Sequence, residues 1–425
     1  MLAVLVAEPS RVVSFYQHVR KQGLRETIAR ISRVVIQDEV SQYREWIELY
    51  DTIAPREAEE IRCFVKSFPL KPKFSVLVPV FETPPNELIE MIASVRAQIY
   101  DDWELCLADD ASKQPLVREI LEVQAQAEPR IKLVFRQENG NISAASNSAL
   151  ALATGDFIAL LDHDDILAPH ALAIMADAIN RYPDADILYS DEDKLDAKGR
   201  RYGAYFKPDW NPELLYGQNF VSHLGVYRTS LVRELGGFRV GFEGSQDYDL
   251  ALRATAATAG KIVHVPHILY HWRVYPGAGT FTSTQMGRAV DTARHAIKEQ
   301  LAGRSIDARV GDAGYNYHRV IRADPAVWPR VTIIVGLRQD PEFLSDCIEG
   351  LLDKTDYLDR DIVVVDAGVA SRASSPMSTL TARGAQLVRS PNRTDFAKTI
   401  NEAVRRASGE IVLFLDSDMS VVEPR

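Results

Sequence analysis

Cysteine is scarce in this sequence. Its 425 residues include three cysteines, Cys63, Cys106 and Cys347, which lie far apart along the chain. No two of them have the spacing of a metal-binding pair, and an odd, scattered set does not make a disulfide framework. Such sparse use of cysteine is typical of a reducing compartment. We expect all three thiols to be small buried hydrophobic groups.

Long apolar runs are absent as well. No stretch approaches the ~18 residues that a membrane-spanning helix needs. The N-terminal stretch MLAVLVAEP lacks a basic leader, so we expect no signal peptide. From these absences we predict a cytoplasmic protein. The basic segment of residues 11–33 leaves open a peripheral association with the inner face of the cell membrane, and a solvated helix face is the alternative interpretation of that segment.

Positive charge is in deficit, and two common nucleotide-binding motifs are missing. The chain has 49 Lys and Arg against 59 Asp and Glu, which excludes a general affinity for nucleic acids, because that needs clustered cations. No Gly-x-Gly-x-x-Gly follows the first apolar run, and no Gly-Lys-Ser/Thr occurs. These absences argue against a dinucleotide-binding dehydrogenase and a P-loop NTPase.

Strand-sized apolar runs alternate with helical segments from residue 73 onward. The alternation predicts an α/β fold with a mainly parallel sheet and right-handed crossovers. In such a sheet, ligands bind beyond the carboxyl ends of the strands. The first four predicted strands are residues 74–78, 103–108, 131–135 and 156–161.

The residues before the first strand have a different pattern. Residues 10–68 read as helices that break near Pro55. Large side chains recur at helical spacing within residues 40–50, and we interpret them as a docking face. These side chains belong to Tyr43, Trp46, Ile47 and Tyr50.

The strand-and-helix segment occurs twice. Ser75 and Asp109 are 34 positions apart, and so are Thr332 and Asp366. The intervals of 8, 7 and 2 positions that separate Asn147, Gly155, Asp162 and Asp164 recur between Asn401, Gly409, Asp416 and Asp418. We infer two copies of one nucleotide-binding unit, of which the second begins near residue 328. The predicted domains are a helical N-terminal region over residues 1–72, an α/β domain over 73–310 and a partial second unit over 328–425.

Acidic residues follow two of the predicted strands. Asp162 and Asp164 lie two positions apart at the end of the fourth strand, and carboxylates there suit Mg²⁺ or Mn²⁺, which in turn suits a diphosphate. The alternative is helix capping before Pro169. Asp109 and Asp110 end the second strand, where they could accept hydrogen bonds from a base or a ribose; the alternative there is a turn.

Further candidates lie downstream. Asp247 begins a predicted helix, where a carboxylate is a normal cap, and a general base for an incoming hydroxyl is the other interpretation. His271 and Arg273 place an imidazole and a cation on one short strand, although a lone histidine is usually structural. Pro79, Phe81 and Glu82 end the first strand and would form a wall beside a bound base. Asn139 and Asn147 flank a helix rich in Ala and Ser and are further candidate nucleotide contacts.

Five segments of the chain together resemble a known family. They are FSVLVPVFETP, WELCLADDAS, NGNISAASNSALALATGDFIALLDHDD, GGFRVGFEGSQDYDLALR and LYHWR. In this order they resemble the family 2 glycosyltransferases with the GT-A fold, especially the two-module bacterial enzymes of O-antigen and rhamnan-type surface polysaccharide synthesis. The resemblance covers about residues 40 to 425. It implies a Rossmann-like sheet with helices on both faces, preceded by a small helical region and followed by a partial second GT-A half.

The resemblance implies an inverting transfer of a sugar from a nucleoside diphosphate sugar to a hydroxyl of a free or lipid-linked glycan, with Mn²⁺ or Mg²⁺. Asp247 matches the catalytic base. Asp109 and Asp110 match the pair that holds base and ribose. The metal set is Asp162, Asp164 and His271, with Asp162 also at the nucleotide and Arg273 at the diphosphate. The expected acceptor contacts are Asp191, Glu192, Trp210, His223 and Gln246.

The chain departs from the family pattern at several points. Ser146 stands where many members carry Arg, so the diphosphate contact of that Arg is missing or comes from elsewhere. No Gln-x-x-Arg-Trp follows and we expect no membrane helices, which argues against processive polymerisation. In the second copy Gly336 replaces Pro79 and Ala367 replaces Asp110, so we expect no transfer there. The alternatives are a non-catalytic module that binds sugar nucleotides or glycans, and a sugar nucleotidyltransferase. The acidic, Pro-rich stretch VFETPPNE argues against the latter.

Overall fold

The computed structural model describes residues 41–274, 283–314, 316–337, 341–366, 381–389 and 395–422. The chain divides into two units, residues 1–322 and 323–425. Within the described ranges, no helix is both long and apolar enough to cross a membrane. The basic segment of residues 11–33 lies outside the described residues, and we keep the domain boundaries given above as a prediction.

The first unit is built on one large sheet and a separate hairpin. Its strands are β1 (Phe74–Val80), β2 (Trp103–Asp109), β3 (Ile131–Phe135), β4 (Phe157–Leu160), β5 (Ile166–Leu167), β6 (Ala185–Leu195), β7 (Arg201–Tyr205), β8 (Gly225–Arg228), β9 (Lys261–Arg273) and the hairpin β10 (Ala308–Asp312) and β11 (His318–Arg322). The large sheet has the order β3-β2-β1-β4-β8-β6-β9-β5, with β7 paired to β6. The four strands predicted first are confirmed and form its parallel half. The second half is mixed, because β8 runs antiparallel to both β4 and β6.

Helices cover both faces of this sheet. They are α1 (41–50), α2 (Pro55–Lys66), α3 (Pro85–Arg96), α4 (Pro115–Ala127), α5 (Asn141–Leu152), α6 (Ala171–Arg181), α7 (Pro212–Gly217), α8 (Thr229–Glu234), α9 (Gln246–Ala257) and α10 (Ser283–Gly303). Side chains of β1 point alternately to the two faces: Val76 and Val78 join a core with α2, α3, α4 and α6, whereas Leu77 joins a core with α5 and α7 to α10. The predicted α/β architecture with helices on both faces is confirmed.

The second unit repeats the parallel half of the first. Its elements are β12 (Val331–Leu337), α11 (Pro341–Glu349), a π-helical turn (Gly350–Lys354), β13 (Arg360–Asp366), β14 (Gln386–Arg389), α12 (Phe396–Arg406) and β15 (Ile411–Asp416). The strand order β14-β13-β12-β15, parallel throughout, corresponds to β3-β2-β1-β4. The partial second half predicted from the spacing is therefore confirmed as a fold.

A buried acid anchors the amino ends of the strands in the first unit. Ser75 donates a hydrogen bond of 2.7 Å to Glu104 and accepts one of 2.9 Å from the backbone N–H of Gly155. Lys73 and Lys132 form ion pairs of 2.5 and 2.9 Å with the same carboxylate. Burial alone would raise the pKa of Glu104, but these donors hold it well below its ordinary value.

The second unit makes the same contact with different residues. Thr332 donates a hydrogen bond of 2.8 Å to Asp361 and accepts one of 2.9 Å from the backbone N–H of Gly409. The two hydroxyl–acid pairs occupy equivalent cross-strand positions, β1 to β2 and β12 to β13. The duplication therefore extends from sequence spacing to individual hydrogen bonds.

The cysteines follow the expectation in two of three cases. Cys106 and Cys347 are buried, and burial raises the pKa of Cys106 to about 12 and that of Cys347 to about 11. Both thiols are therefore neutral and unreactive at pH 7. The expectation is wrong for Cys63, which is exposed, because it lies on α2, where one side of the helix faces solvent.

We predict that Gly155→Ala destabilises the first unit by about 1–3 kcal/mol, as overpacking usually does. A Cβ there would lie 2.5 Å from the carbonyl oxygen of Lys73 and 2.9 Å from the backbone nitrogen of Ser75, so the backbone must shift. Gly287→Ala is the control, because its Cβ meets nothing within 4 Å. Denaturant unfolding that gives equal midpoints for both variants would contradict this prediction.

We also predict that Glu104→Gln lowers the free energy of unfolding by about 1–3 kcal/mol at pH 7, because a charged acceptor is lost from a buried site. The folded-state pKa of Glu104 is depressed from an ordinary value of 4.5. Its contribution is therefore present above pH 4.5 and is lost as the pH falls below that value. Thermal unfolding of both proteins between pH 7 and pH 3 should show the difference shrinking with acidification; a constant difference would speak against it.

Candidate active site

The carboxyl ends of β1, β2 and β4 meet at one edge of the sheet. Val80 of β1 is in register with Asp109 of β2, and Leu77 with Leu160 of β4. The acidic loop that follows β4, residues 162–165, therefore begins beside the last residues of β1, one strand away from the end of β2, at the edge where a parallel sheet binds ligands.

Three carboxylates, those of Asp162, Asp164 and Asp247, act on one another electrostatically at this edge, and we call their surroundings the acidic crevice. Burial raises the pKa of Asp162, and the negative charges of Asp164 and Asp247 raise it further, against the opposing imidazoles of His223 and His163. Because Coulombic effects of this kind need short distances, the structure brings Asp247 of α9 to the loop after β4, although 85 positions separate it from Asp162. The predicted base and the predicted acidic pair thus lie close enough to interact electrostatically.

The acidic loop is held in place by β9. Asp165 is buried and accepts hydrogen bonds of 2.6 Å from both the Tyr270 hydroxyl and the backbone N–H of Arg273. Burial, together with the charges of the neighbouring acids, raises its pKa well above the usual range. The Arg273 guanidinium donates to the carbonyl oxygen of Asp164 at 2.7 Å and pairs with Glu90 at 2.7 Å. These bonds make Arg273 a support of the loop, and its predicted diphosphate contact stays a prediction.

The carboxylate crevice has the donor chemistry of a divalent cation site. Within the described ranges, no three His, Cys, Asp or Glu side chains stand close enough together to ligate one metal ion, so the predicted trio of Asp162, Asp164 and His271 is not assembled as a cage. Mg²⁺ usually takes one or two carboxylates and completes its shell with water and substrate phosphates. Asp162 and Asp164 fit that pattern, since their crevice holds an excess of negative charge.

One carboxylate oxygen of Asp109, at the end of β2, lacks a hydrogen-bond partner among the described residues. Its Oδ2 accepts a hydrogen bond of 3.2 Å from the backbone N–H of Ser112, whereas its Oδ1 is buried without a hydrogen-bond partner among the described residues. Glu82, after β1, accepts a bond of 2.7 Å from the backbone N–H of Lys113 and so links the two strand ends. A buried carboxylate oxygen without a donor is the kind of group that a ligand N–H or O–H satisfies.

Three other predicted nucleotide contacts are engaged within the protein. Asp110 pairs with Arg136 at 2.7 Å and accepts from the backbone N–H of Gly140, while the Asn139 amide donates to the Asp110 carbonyl at 3.2 Å. Asn147 donates to and accepts from the backbone of Phe238, at 2.7 and 2.8 Å. These side chains fix loops around the site, and the nucleotide contacts proposed for them stay predictions.

Asp247 lies in the first turn of α9. Its Oδ2 accepts a hydrogen bond of 2.7 Å from the side-chain amide of Asn219, a residue that the sequence pattern did not single out. The neighbouring Gln246 accepts a bond of 2.9 Å from the backbone N–H of Gly244 and shapes the turn before the helix.

A buried lysine supports the loop that carries Asn219 and His223. Lys207 donates to Glu192 at 3.1 Å and to the His223 carbonyl at 2.5 Å, and burial lowers its pKa. Its backbone N–H donates to Asp191, which also accepts from His264. The predicted acceptor contacts Asp191 and Glu192 are thus bonded inside the fold. The sequence reasoning missed Lys207, because its partners lie at least 14 positions away.

The two remaining acceptor candidates differ in their surroundings. His223 stacks on Tyr270 with ring centroids 4.5 Å apart and acts electrostatically on Asp162, so it lies at the acidic crevice. Trp210 packs against Phe220 at 5.8 Å and lines a cavity with residues of α7, α9 and α10. Of this pair, His223 is therefore the one that the structure brings to the crevice.

His271 lies beside the acidic loop and is oriented by a buried acid. Its Cα pairs with that of Ile166, two positions after Asp164. Its Nδ1 bonds to Asp193 at 2.5 Å. Burial alone would raise the pKa of Asp193, but the bond from His271 and the charge of Arg201 lower it. Asp193 was not among the predicted site residues, although strand alternation along β6 gives it the same facing as Asp191.

The chain is similar to known proteins over most of its length. An uncharacterized protein of Sinorhizobium fredii is 38% identical over 98% of this chain and 46% of its own length. The O-antigen biosynthesis protein RfbC of Myxococcus xanthus is 36% identical over 83% of this chain and 28% of its own length. The chain thus spans less than half the length of these two relatives.

A solved structure of TarS from S. aureus in complex with UDP-GlcNAc is 21% identical, with a TM-score of 0.44 over 54% of this chain and 66% of that one.

The family described as Glycosyl transferase family 2 matches residues 75–236 and 332–423. These matches include both copies of the repeated segment and more than half of the sequence. The chain therefore belongs to glycosyl transferase family 2.

Proposed function

We propose that this chain is an inverting glycosyltransferase. It moves a sugar from a nucleoside diphosphate sugar to a hydroxyl of a growing surface glycan, free or lipid-linked, with Mn²⁺ or Mg²⁺. The observation that carries the proposal is the shared crevice of Asp162, Asp164 and Asp247 at the carboxyl edge of the sheet. The O-antigen biosynthesis protein among the relatives supports the acceptor class. A cytoplasmic location is part of the proposal.

The donor's nucleoside binds where β1 and β2 end. The open Oδ1 of Asp109 accepts an N–H of the base or a hydroxyl of the ribose, and Pro79 and Phe81 form the wall beside it. Phe81 is 42% exposed, so its ring is free to cover a base. Asp162 and Asp164 would hold the cation, which would supply positive charge to the diphosphate.

When bound, the cation neutralises the charge that develops on the departing diphosphate. His271 faces the same leaving group with its Nε2 and completes the donor site. The negative charges of Asp164 and Asp247 act on the Asp162 carboxylate, and a bound cation would offset them. The diphosphate and the acidic loop both carry negative charge, so the cation would offset the repulsion between them.

Asp247 is the general base. The Asn219 amide holds one carboxylate oxygen, and the other takes the proton of the acceptor hydroxyl as that oxygen attacks the anomeric carbon. Attack comes from the face opposite the diphosphate, so the bond to the diphosphate breaks in the same displacement and the configuration inverts. No covalent enzyme intermediate forms. The acceptor approaches past His223 and Gln246.

We predict that Asp247→Asn lowers kcat by at least about a hundredfold, because a positioned base typically contributes ~10²–10⁴-fold. Donor affinity should stay the same, since the carboxamide keeps the shape and the bond to Asn219. Release of nucleoside diphosphate gives kcat, and calorimetric titration gives donor affinity. Asp209→Asn is the control, because the Asp209 side chain is 98% exposed. Near-normal turnover in Asp247→Asn would remove this residue from the base role.

We also predict that one nucleoside diphosphate sugar raises the unfolding temperature by several degrees only when Mn²⁺ or Mg²⁺ is present. Ligand at about 100 times its Kd adds about 2.7 kcal/mol of stability. Asp164→Ala should abolish the metal-dependent part of the shift, whereas Asp177→Ala on α6 should not. A shift without release of nucleoside diphosphate would favour a non-catalytic binding module. Equal shifts with and without metal would argue against the cation site.

A further inference from the structure

The helix α1 packs against β6 and against the residue that follows β7. The Trp46 ring meets the Phe206 ring edge-on, with centroids 5.2 Å apart, and stacks on Tyr43 at 5.7 Å. The predicted docking face is confirmed for Tyr43, Trp46 and Ile47, which are half-buried, whereas Tyr50 is 74% exposed. The apolar side of α1 thus fixes the position of the Tyr43 hydroxyl.

Three donors from distant parts of the chain meet on one fully buried carboxylate. Asp193 Oδ2 accepts hydrogen bonds of 2.6 Å from the Tyr43 hydroxyl and 2.6 Å from Nε of Arg201. Its Oδ1 bonds to Nδ1 of His271 at 2.5 Å. Arg201 also pairs with Asp51, just after α1. The helix therefore contacts Asp193 both directly and through Arg201.

The bond between Asp193 and His271 determines which nitrogen the imidazole presents to the site. A carboxylate accepts hydrogen bonds, so Nδ1 of His271 carries the hydrogen and donates. The other nitrogen, Nε2, makes no hydrogen bond within the described part of the chain and is left for a ligand. Carboxylates that bind a histidine in this way fix its tautomer and the orientation of its ring.

The carboxylate has a second charged partner besides His271. Arg201 already supplies a cation to Asp193, and Asp51 in turn balances Arg201. Tyr43 and Arg201 together occupy Oδ2, so that Oδ1 is left to face the imidazole. The arrangement is thus a rigid acceptor for His271 whose own partners are complete on the opposite side.

We propose that Asp193, held by Tyr43 and Arg201, is a positioning residue for His271, and that α1 thereby completes the donor site. This inference rests on the proposed function, because His271 must meet the diphosphate or its cation for its orientation to matter. Asp193 does not touch the substrate and acts through the imidazole. The helical segment before the sheet is on this account part of the catalytic unit.

The test is a set of single variants assayed by release of nucleoside diphosphate. Asp193→Asn should lower kcat about 10–100-fold, the usual cost of losing a partner behind a ligating histidine. Tyr43→Phe removes one hydroxyl, retains the ring packing and should lower kcat about three- to tenfold. Tyr100→Phe is the matched control, because its buried hydroxyl makes a single bond of 3.0 Å to the Pro72 carbonyl and has no link to His271; its kcat should be unchanged.

A double-mutant cycle separates positioning from simple structural support. In a His271→Ala background, Asp193→Asn and Tyr43→Phe should each change kcat less than about twofold, since the group through which they act is gone. If they cost the same factor in both backgrounds, the inference is overturned while the proposed function stands. Unchanged kcat in Tyr43→Phe and Asp193→Asn would also overturn it. If the wild-type protein releases no nucleoside diphosphate from any donor, the proposed function fails and the inference falls with it.

Discussion

Like charges held close together are the constraint on which this molecule depends. The negative charges of Asp162, Asp164 and Asp247 act on one another. Their mutual repulsion tends to separate these three side chains. The fold keeps them together through bonds made by other residues. Asp165 ties the acidic loop to β9, and Asn219 holds Asp247 at the start of α9. A site that attracts a cationic or metal-bound ligand is thus assembled before the ligand arrives.

The buried acids at the two edges of the parallel sheet differ in how completely they are hydrogen-bonded. At the amino edge, Glu104 has a full set of donors, so the edge is closed and contributes stability. At the carboxyl edge, Asp109 retains a buried oxygen without a partner among the described residues. The polar group without a partner thus lies at the edge where we propose that the donor binds, and the fully bonded acid lies at the opposite edge. Both acids lie on β2, five positions apart.

The sequence allowed prediction of features that depend on local pattern. The four parallel strands, the repeated unit and the acidic strand ends all follow from periodicity and spacing, and the structure has them at those positions. Residues that act across long separations were not visible. Asp193 and Tyr43 are 150 positions apart, and Asn219 and Asp247 are 28 apart. The same limit explains Asn147, whose amide is bonded to a backbone 91 positions away.

The hydroxyl–acid pair at the amino edge of the sheet differs in composition between the two units. Ser75 with Glu104, and Thr332 with Asp361, contain equal numbers of side-chain carbon atoms, one carbon having moved from the acid to the hydroxyl residue. Volume-conserving exchanges of this kind are the ones that a packed interior tolerates. Changing one residue alone would alter the size of a pair that lies against Gly155 or Gly409, and a Cβ added at either glycine would approach backbone atoms to 2.5 Å. A chimera that takes the hydroxyl residue from one unit and the acid from the other would therefore contain a pair whose number of side-chain carbons neither unit has.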